Sequence, residues 1–195
     1  MIVCKFGGTS VASAEQIKKV ASIVKTNPER KIVAVSAPGK RSSDDVKVTD
    51  LLIELAEAVL SNGKVEEKLQ NVVNRFKAIT EELELGEEIL QVIENDLRER
   101  IKGNRSNAVL FTDSLKAAGE DNNAKLIAAY FNTVGIPAKY VSPKEGLIVN
   151  DLPERTYALP EAYENLSKLK EEKKVIVFPG FFGYTKNGLL RTFDR

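Results

Sequence analysis

Residues 2–10 read Ile-Val-Cys-Lys-Phe-Gly-Gly-Thr-Ser, a short apolar run followed by a pair of glycines. We interpret Ile2–Cys4 as a buried strand and Lys5–Ser10 as a glycine-containing loop. Ser13 stands three residues before Gln16, which is capping-box spacing, and apolar residues then recur with the period of a helix. A strand, a glycine loop and a helix in this order predict the first unit of an α/β fold.

The rest of the sequence alternates between short β-rich runs and long amphipathic ones. Further strands are predicted at Ile32–Val35, Ala138–Val141 and Lys174–Phe178. The Asn-Gly pair within Thr185–Gly188 predicts a β-hairpin. The alternation predicts an α/β fold in the form of an αβα sandwich, with helices on both faces of a mainly parallel central sheet.

Helical periodicity covers the middle of the chain. We expect helices from Asp50 to about Lys102 with breaks near Asn62–Gly63 and Gly86, then over the more ambiguous Arg105–Ala118, and over Ala124–Val134. Gly119 and Glu120 are interpreted as leading into a helix that begins at Asp121. Gly135 fits a helix C-terminus, with Pro137 just beyond it.

The composition is that of a soluble globular domain. Its 195 residues suit one domain, and 43% hydrophobic and 29% charged residues are ordinary values. A formal net charge of +1 gives no reason to expect a nucleic-acid or membrane partner. Cys4 is the single cysteine, and the N-terminus lacks a secretory pattern, so we expect a cytoplasmic enzyme or binding protein.

Two small-residue loops follow the first two predicted strands. In Lys5–Ser10, exposed backbone N–H groups, a lysine and a following helix would form a cradle for a polyphosphate. The alternative is a tight turn with a solvated lysine. Val35–Gly39 ends the second strand at the same sheet edge, or is an ordinary turn. Two such loops after consecutive strands favour a shared ligand cleft.

Three further segments allow both a functional and a structural interpretation. Thr49 or Asp50 could contact a ligand or cap a helix. Glu120 could bind an ammonium group or be a first-turn acid that the helix dipole stabilises. Glycines beside aromatics at Phe178–Thr185 suggest backbone approaching something flat or anionic, whereas the alternative is a packed hairpin.

These motifs together resemble the aspartate kinases, of the amino-acid-kinase fold, over essentially the whole chain. The resemblance is carried, in order along the chain, by KFGGTSV at 5–11, VSAPG at 35–39, VTDLL at 48–52, GE at 119–120 and PGFFGYT at 179–185. KFGGTSV is highly specific.

The resemblance implies a reaction and a set of site residues. The implied reaction moves the γ-phosphate of ATP, used with Mg²⁺, onto the side-chain carboxylate of L-aspartate and gives 4-phospho-L-aspartate, the first step of lysine, threonine and methionine synthesis. Lys5 is implied to be catalytic. ATP phosphates or the transferring group are implied to bind at Lys5, Phe6, Gly7, Gly8, Thr9 and Ser10. Aspartate is implied to bind at Ser36, Thr49, Glu120, Phe181 and Arg195. No metal ligand is expected from the protein.

The resemblance also implies that residues 1–195 form the N-terminal portion of a catalytic domain. The C-terminal nucleotide-binding part and the ACT regulatory domains would lie outside it, so we expect this chain alone to be inactive and the full-length protein to be a homo-oligomer. Two alternatives stay open. One is a kinase of the same fold acting on another carboxylate such as glutamate, a carbamate or a nucleotide, and the other is a non-catalytic fragment or binding domain.

Overall fold

The computed structural model describes residues 1–152 and 155–193, with a four-stranded parallel sheet at its centre. In spatial order the strands are β1 (Ile2–Phe6), β2 (Arg30–Val35), β4 (Val175–Pro179) and β3 (Ala138–Tyr140). Phe6 pairs with Val35 and Val35 with Pro179, so β1, β2 and β4 end at one level. The loops that follow these strands therefore meet at one edge of the sheet.

Helices cover the two faces of this sheet unequally. The described chain forms α-helices at Ala14–Lys25 (α1), Val48–Leu60 (α2), Val65–Glu82 (α3), Glu87–Ile101 (α4), Ala108–Thr133 (α5) and Pro160–Ser167 (α6). The larger core cluster joins side chains of α1 to α5 with Val33, Val35 and Val177. Ile176 and Phe178 point the other way and pack in a smaller cluster with α6. The predicted αβα sandwich with a parallel sheet is confirmed.

Several local predictions are confirmed at the helix ends. The Ser13 hydroxyl accepts a hydrogen bond from the backbone N–H of Gln16 at 3.4 Å and so caps α1. The helical region breaks where predicted, between α2 and α3 and between α3 and α4. Gly135 adopts φ +75° just after α5, and the Ile136 N–H donates to the Phe131 carbonyl at 2.8 Å. Glycine is favoured there because side chains disfavour positive φ.

The predicted start of a helix at Asp121 is wrong. Residues 108–133 form one continuous helix of 26 residues, and Gly119–Glu120 lie in its middle. The polar run 121–123 resembles a helix start in sequence, yet these side chains are buried and bonded to other elements. Because α5 is buried on nearly all sides, it has no amphipathic period that could reveal its length.

Two further boundaries differ from the prediction. Lys5 and Phe6 still belong to β1, and a 3₁₀ turn at Gly8–Val11 follows. Neither Thr49 nor Asp50 caps α2, whose N-cap is Lys47 without a side-chain hydrogen bond. The Val48 N–H at this helix start instead donates to the Pro38 carbonyl at 3.0 Å. The second small-residue loop thus takes the place of a capping side chain.

The predicted hairpin is confirmed. Strands β5 (Phe182–Tyr184) and β6 (Leu190–Thr192) pair antiparallel, and Gly188 adopts φ +80° in the turn between them. Phe182, in β5, is fully buried. Among the described residues, no helix combines the length and the apolar character that a membrane span requires.

Candidate active site

A cleft of about 690 Å³ opens at the carboxyl ends of β1, β2 and β4. Its walls come from the loops after β1 and β2, the start of α2, the middle of α5, and the segment that follows β4. Of the residues that the sequence singles out, it is lined by Lys5, Gly7, Gly8, Thr9, Ser36, Thr49, Glu120 and Phe181. The structure therefore brings both small-residue loops to one cleft.

The first loop presents backbone rather than side chains to this cleft. Among the described residues, no hydrogen bond acceptor is found for the backbone N–H of Gly7, Gly8 or Thr9. Gly7 has an extended backbone with φ −74°, and a Cβ placed on it would meet nothing within 4 Å. The fold itself does not demand glycine at Gly7, so the open space on that side is available to a ligand.

The second loop packs directly on the first. The Gly39 N–H donates to the Gly8 carbonyl at 2.9 Å. A Cβ on Gly8 would lie 3.1 Å from the Ala37 carbonyl oxygen. Here the close approach of two backbones favours glycine, in contrast to Gly7. This contact between the two loops fixes the position of the first loop relative to the carboxyl edge of the sheet.

Lysine side chains supply the positive charge of the cleft. Lys5 lines it from near the C-terminal end of β1. Lys40 lines it from within the segment 36–47 that joins β2 to α2, and Lys47 from the last position of that segment. Within residues 1–152 and 155–193, neither Lys5 nor Lys47 forms an ion pair. Lys40 and Lys47 were not predicted as cleft residues, because a charged loop by itself gives no sign of which way its lysines point.

Glu120 supplies negative charge from inside α5. It is only 4% exposed although it lines the cleft. The preceding Gly119 lets α5 come close, since a Cβ there would lie 2.9 Å from the Ala37 Cβ and 3.0 Å from Leu52 Cδ1. A helix-dipole role for Glu120 is ruled out by its position in the middle of a 26-residue helix. A buried carboxylate at a cleft wall is suited to a cationic ligand group.

The residues after Glu120 hold α5 in place through a partly buried ionic network. Asp121 Oδ2 accepts from Arg100 Nη2 at 2.8 Å and from Lys125 Nζ at 3.0 Å, and its other oxygen accepts from the Tyr140 hydroxyl. Burial and the Asp121 charge raise the pKa of Tyr140. Burial alone would raise the pKa of Asp96, but Arg100 and Lys125 hold it below its usual value. The network ties α4, α5 and β3 together beside Glu120.

Asn123 links the same helix to the second loop. Its Nδ2 donates to the Ser36 carbonyl at 2.7 Å, and the residue is fully buried. Ser36 lines the cleft, so Asn123 fixes a wall residue without lining the cleft itself. Thr49 lines it from the first turn of α2. Asn123 was missed because the sequence gives no sign that it contacts a loop 87 positions away.

Aromatic residues close the side next to β4. Phe181 lines the cleft, and its carbonyl accepts from the Phe193 N–H at 2.8 Å, which brings Phe193 to the same wall. Two of the predicted binding residues do not line the cleft. Phe6 packs against the larger core cluster, because alternate residues of a strand face opposite sides of the sheet. Ser10 is exposed, and its N–H donates to the Gly7 carbonyl at 2.9 Å. Arg195 lies outside the described residues.

An open parallel sheet with a glycine-lined, lysine-bearing cleft at its carboxyl edge is typical of phosphate-binding α/β proteins. The model of the amino acid kinase family matches residues 1–194, and the chain belongs to this family.

Aspartokinases stand among the similar proteins. Aspartokinase 3 of Bacillus subtilis is 50% identical over the whole of this chain, which covers 43% of that protein. The aspartate kinase structure from Clostridium acetobutylicum superposes with a TM-score of 0.86 at 28% identity, over 100% of this chain and 42% of the other. Escherichia coli aspartokinase III in complex with lysine and aspartate gives 0.75 at 26% identity, over 100% and 44%. The chain thus spans less than half the length of these relatives.

Proposed function

We propose that this chain is the N-terminal part of the catalytic domain of an aspartate kinase, which transfers the γ-phosphate of ATP to the side-chain carboxylate of L-aspartate. The observation that carries the proposal is that cationic and N–H donor groups line the same cleft as a buried carboxylate. Lys5 and the glycine loop offer cationic and N–H groups, and Glu120 offers a buried carboxylate. An anionic polyphosphate and an amino acid with an ammonium group fit this pair.

The phosphate end is formed by the first loop. The N–H groups of Gly7 and Gly8 and the Lys5 ammonium would bind the transferring phosphoryl group. Mg²⁺ would be bound by the phosphates of ATP and would neutralise part of their charge. Among the described residues, no group of three or more side chains that could hold a metal ion is found.

The amino-acid end is formed around Glu120. Its carboxylate would pair with the ammonium group of aspartate, while Ser36 and Thr49 offer hydroxyl groups and Phe181 shields the site from water. Arg195 would bind the α-carboxylate bidentately. The Escherichia coli relative holds aspartate in its crystal structure, which supports this choice of substrate.

The reaction needs no general base, because the substrate carboxylate is already an anionic nucleophile. One of its oxygens attacks the γ-phosphorus, the bond from that phosphorus to the β,γ-bridging oxygen breaks, and ADP leaves with the electron pair. The obstacle is repulsion between two anions, so catalysis consists of alignment and charge neutralisation. Lys5 would stabilise the charge that spreads over the phosphoryl oxygens. The product, 4-phospho-L-aspartate, would enter lysine, threonine and methionine synthesis in the cytoplasm, and the full-length enzyme would be a homo-oligomer.

ADP release from the full-length protein that contains this chain tests the proposal. Turnover is expected with L-aspartate and not with L-glutamate, a carbamate or a nucleoside monophosphate. Faster turnover with one of these three would assign the protein to a different kinase activity. Calorimetric binding of ATP without turnover on any acceptor would instead identify a non-catalytic binding domain, and either result would overturn the proposal.

A further inference from the structure

A buried arginine outside the cleft contacts the loops that form it. Arg75, on α3, is 7% exposed and does not line the cleft. Its Nη2 donates to the Gly39 carbonyl at 2.9 Å and to the Ala12 carbonyl at 3.4 Å. Ala12 directly follows the 3₁₀ turn Gly8–Val11 that continues the first loop, and Gly39 ends the second loop. This one nitrogen atom, which lies outside the cleft, therefore connects the two loops.

The same nitrogen reaches a third segment. Arg75 Nη2 lies 3.3 Å from Asp45 Oδ2. Asp45 accepts from Arg41 Nε at 2.8 Å, from Arg41 Nη2 at 2.8 Å and from the Arg41 backbone N–H at 2.9 Å, so this carboxylate ties together the loop at residues 40–47 through Arg41. Lys40 and Lys47, at the two ends of that loop, both line the cleft. Arg75 thus contacts Ala12, Gly39 and Asp45, one residue in each of the three segments that follow β1 and β2.

Core stability alone gives a poor reason for an arginine at this position. Burial lowers the pKa of Arg75, which records the cost of placing its charge there. Its Nε and Nη1 are buried without a hydrogen-bond partner among the described residues. Replacement of a whole buried ion pair by apolar side chains of similar volume is often neutral for stability or even stabilising. What an apolar residue could not supply is the bridge between Gly39, Ala12 and Asp45.

We propose that Arg75 is a positioning residue for phosphoryl transfer, which acts through the Gly39 carbonyl. By holding Gly39 against Gly8 it keeps the N–H groups of the first loop directed into the cleft, and through Asp45 it keeps Lys40 and Lys47 at the rim. Glu120 is held by the separate network on α5. Loss of Arg75 should therefore loosen the phosphate end of the cleft more than the amino-acid end, where Asn123 still holds Ser36.

The kinetic test, which rests on the proposed function, compares Arg75→Met and Arg75→Lys in the full-length protein. The control is Phe76→Leu, a neighbouring core position on α3 that is fully buried and does not line the cleft.

Arg75→Met should lower kcat/KM for ATP roughly tenfold or more, the scale of losing one hydrogen bond to a charged group. The KM for aspartate should change far less. Arg75→Lys should recover part of the loss, since one ammonium can still reach the Gly39 carbonyl. Equal changes for both substrates, no gain from lysine, or the same kinetics in Phe76→Leu would overturn the proposal.

Hydrogen exchange gives a second test that does not depend on catalysis. The Gly39 N–H, which donates to the Gly8 carbonyl, should exchange faster in Arg75→Met than in the parent protein. In Arg75→Lys its exchange rate should lie between those two, and the exchange rates of amides near Glu120 should be unchanged in both variants. Phe76→Leu should leave the two loops as slow as in the parent. This outcome would support the positioning role even if aspartate were not the acceptor. Unchanged exchange of Gly39, or uniform acceleration across the chain, would contradict it.

Discussion

Gly39 packs so closely on Gly8 that a Cβ on Gly39 would lie 2.7 Å from the Gly8 carbonyl carbon. At Gly7, the residue before Gly8, an added Cβ would meet nothing within 4 Å. Glycines of this cleft therefore serve different purposes. Gly39 permits close packing of the two loops, and Gly7 leaves space beside a ligand.

Alanine substitutions should separate these two purposes. Gly39→Ala should lower the free energy of unfolding by about 1–3 kcal/mol, because backbone atoms must move to admit the methyl group. Gly7→Ala should leave it unchanged or raise it by up to about 1 kcal/mol, since the backbone already suits alanine. Gly7→Ala should nevertheless weaken ATP binding, measured by calorimetry. Undisturbed ATP affinity in Gly7→Ala would show that no phosphate comes close to Gly7.

Lys5 should act mainly on the transition state. Lys5→Ala in the full-length protein should lower kcat by ~100-fold or more, the scale of losing one preorganised donor. The KM for aspartate should change far less and the Tm hardly at all, because this exposed side chain contributes little packing. Lys5→Arg should not restore kcat, since a planar guanidinium does not replace a compact ammonium. Lys19→Ala, on an exposed position of α1, is the control. A kcat within a few-fold of the parent in both Lys5 variants would refute the phosphate role of the first loop.

Glu120→Gln should weaken aspartate binding more than ATP binding. Removing one partner of a buried carboxylate–ammonium pair costs about 2–5 kcal/mol of binding free energy, so the Kd for aspartate should rise by well over tenfold. Calorimetry with each ligand gives both affinities. Glu88→Gln, an exposed acid in the first turn of α4, serves as the matched control. Equal losses for the two ligands, or unchanged aspartate affinity, would exclude the substrate contact.

Asp45 should make stability depend on pH in the acidic range. Hydrogen bonds from Arg41 hold the pKa of Asp45 well below its usual value, against the opposing effect of burial and with further help from Arg75. A depressed folded-state pKa means that the stabilisation is complete above the unfolded value of about 3.9 and is lost as pH falls towards the folded value. The parent should thus be more stable than Asp45→Asn by a constant amount from about pH 6 to 7, and the gap should narrow below about pH 4.

Urea unfolding at a series of pH values measures this gap directly. At pH 7, substitution of the exposed neighbour Asp44 by asparagine should change stability little, which separates Asp45 from a general effect of charge in this loop. A gap between parent and Asp45→Asn that stays constant from pH 7 to pH 3 would contradict the pairing of Asp45 with Arg41 and Arg75.

The sequence predicts the sheet and the exposed helices because their apolar periodicities are plain, and it predicts that the loops after the first two strands share a cleft. Periodicity fails at α5, because burial on all sides removes the amphipathic pattern and Asp121–Asn123 resemble a helix start. Residues such as Arg75 and Asn123 act on cleft loops far away in sequence. Their role depends on which carbonyl groups the fold brings within reach, and a local pattern carries no information about that.

Trapping of the acyl phosphate with hydroxylamine shows directly whether the side-chain carboxylate of aspartate is the phosphoryl acceptor. Full-length protein incubated with L-aspartate, Mg²⁺, ATP and hydroxylamine should form the hydroxamate of the side-chain carboxyl group, because hydroxylamine intercepts an acyl phosphate. The position of the hydroxamate is identified by NMR. Formation of this hydroxamate should require ATP, should be slowed ~100-fold in Lys5→Ala, and should be unaffected in Lys19→Ala. Absence of a hydroxamate, a hydroxamate at the α-carboxyl group, or an equal rate in Lys5→Ala would contradict the proposed function.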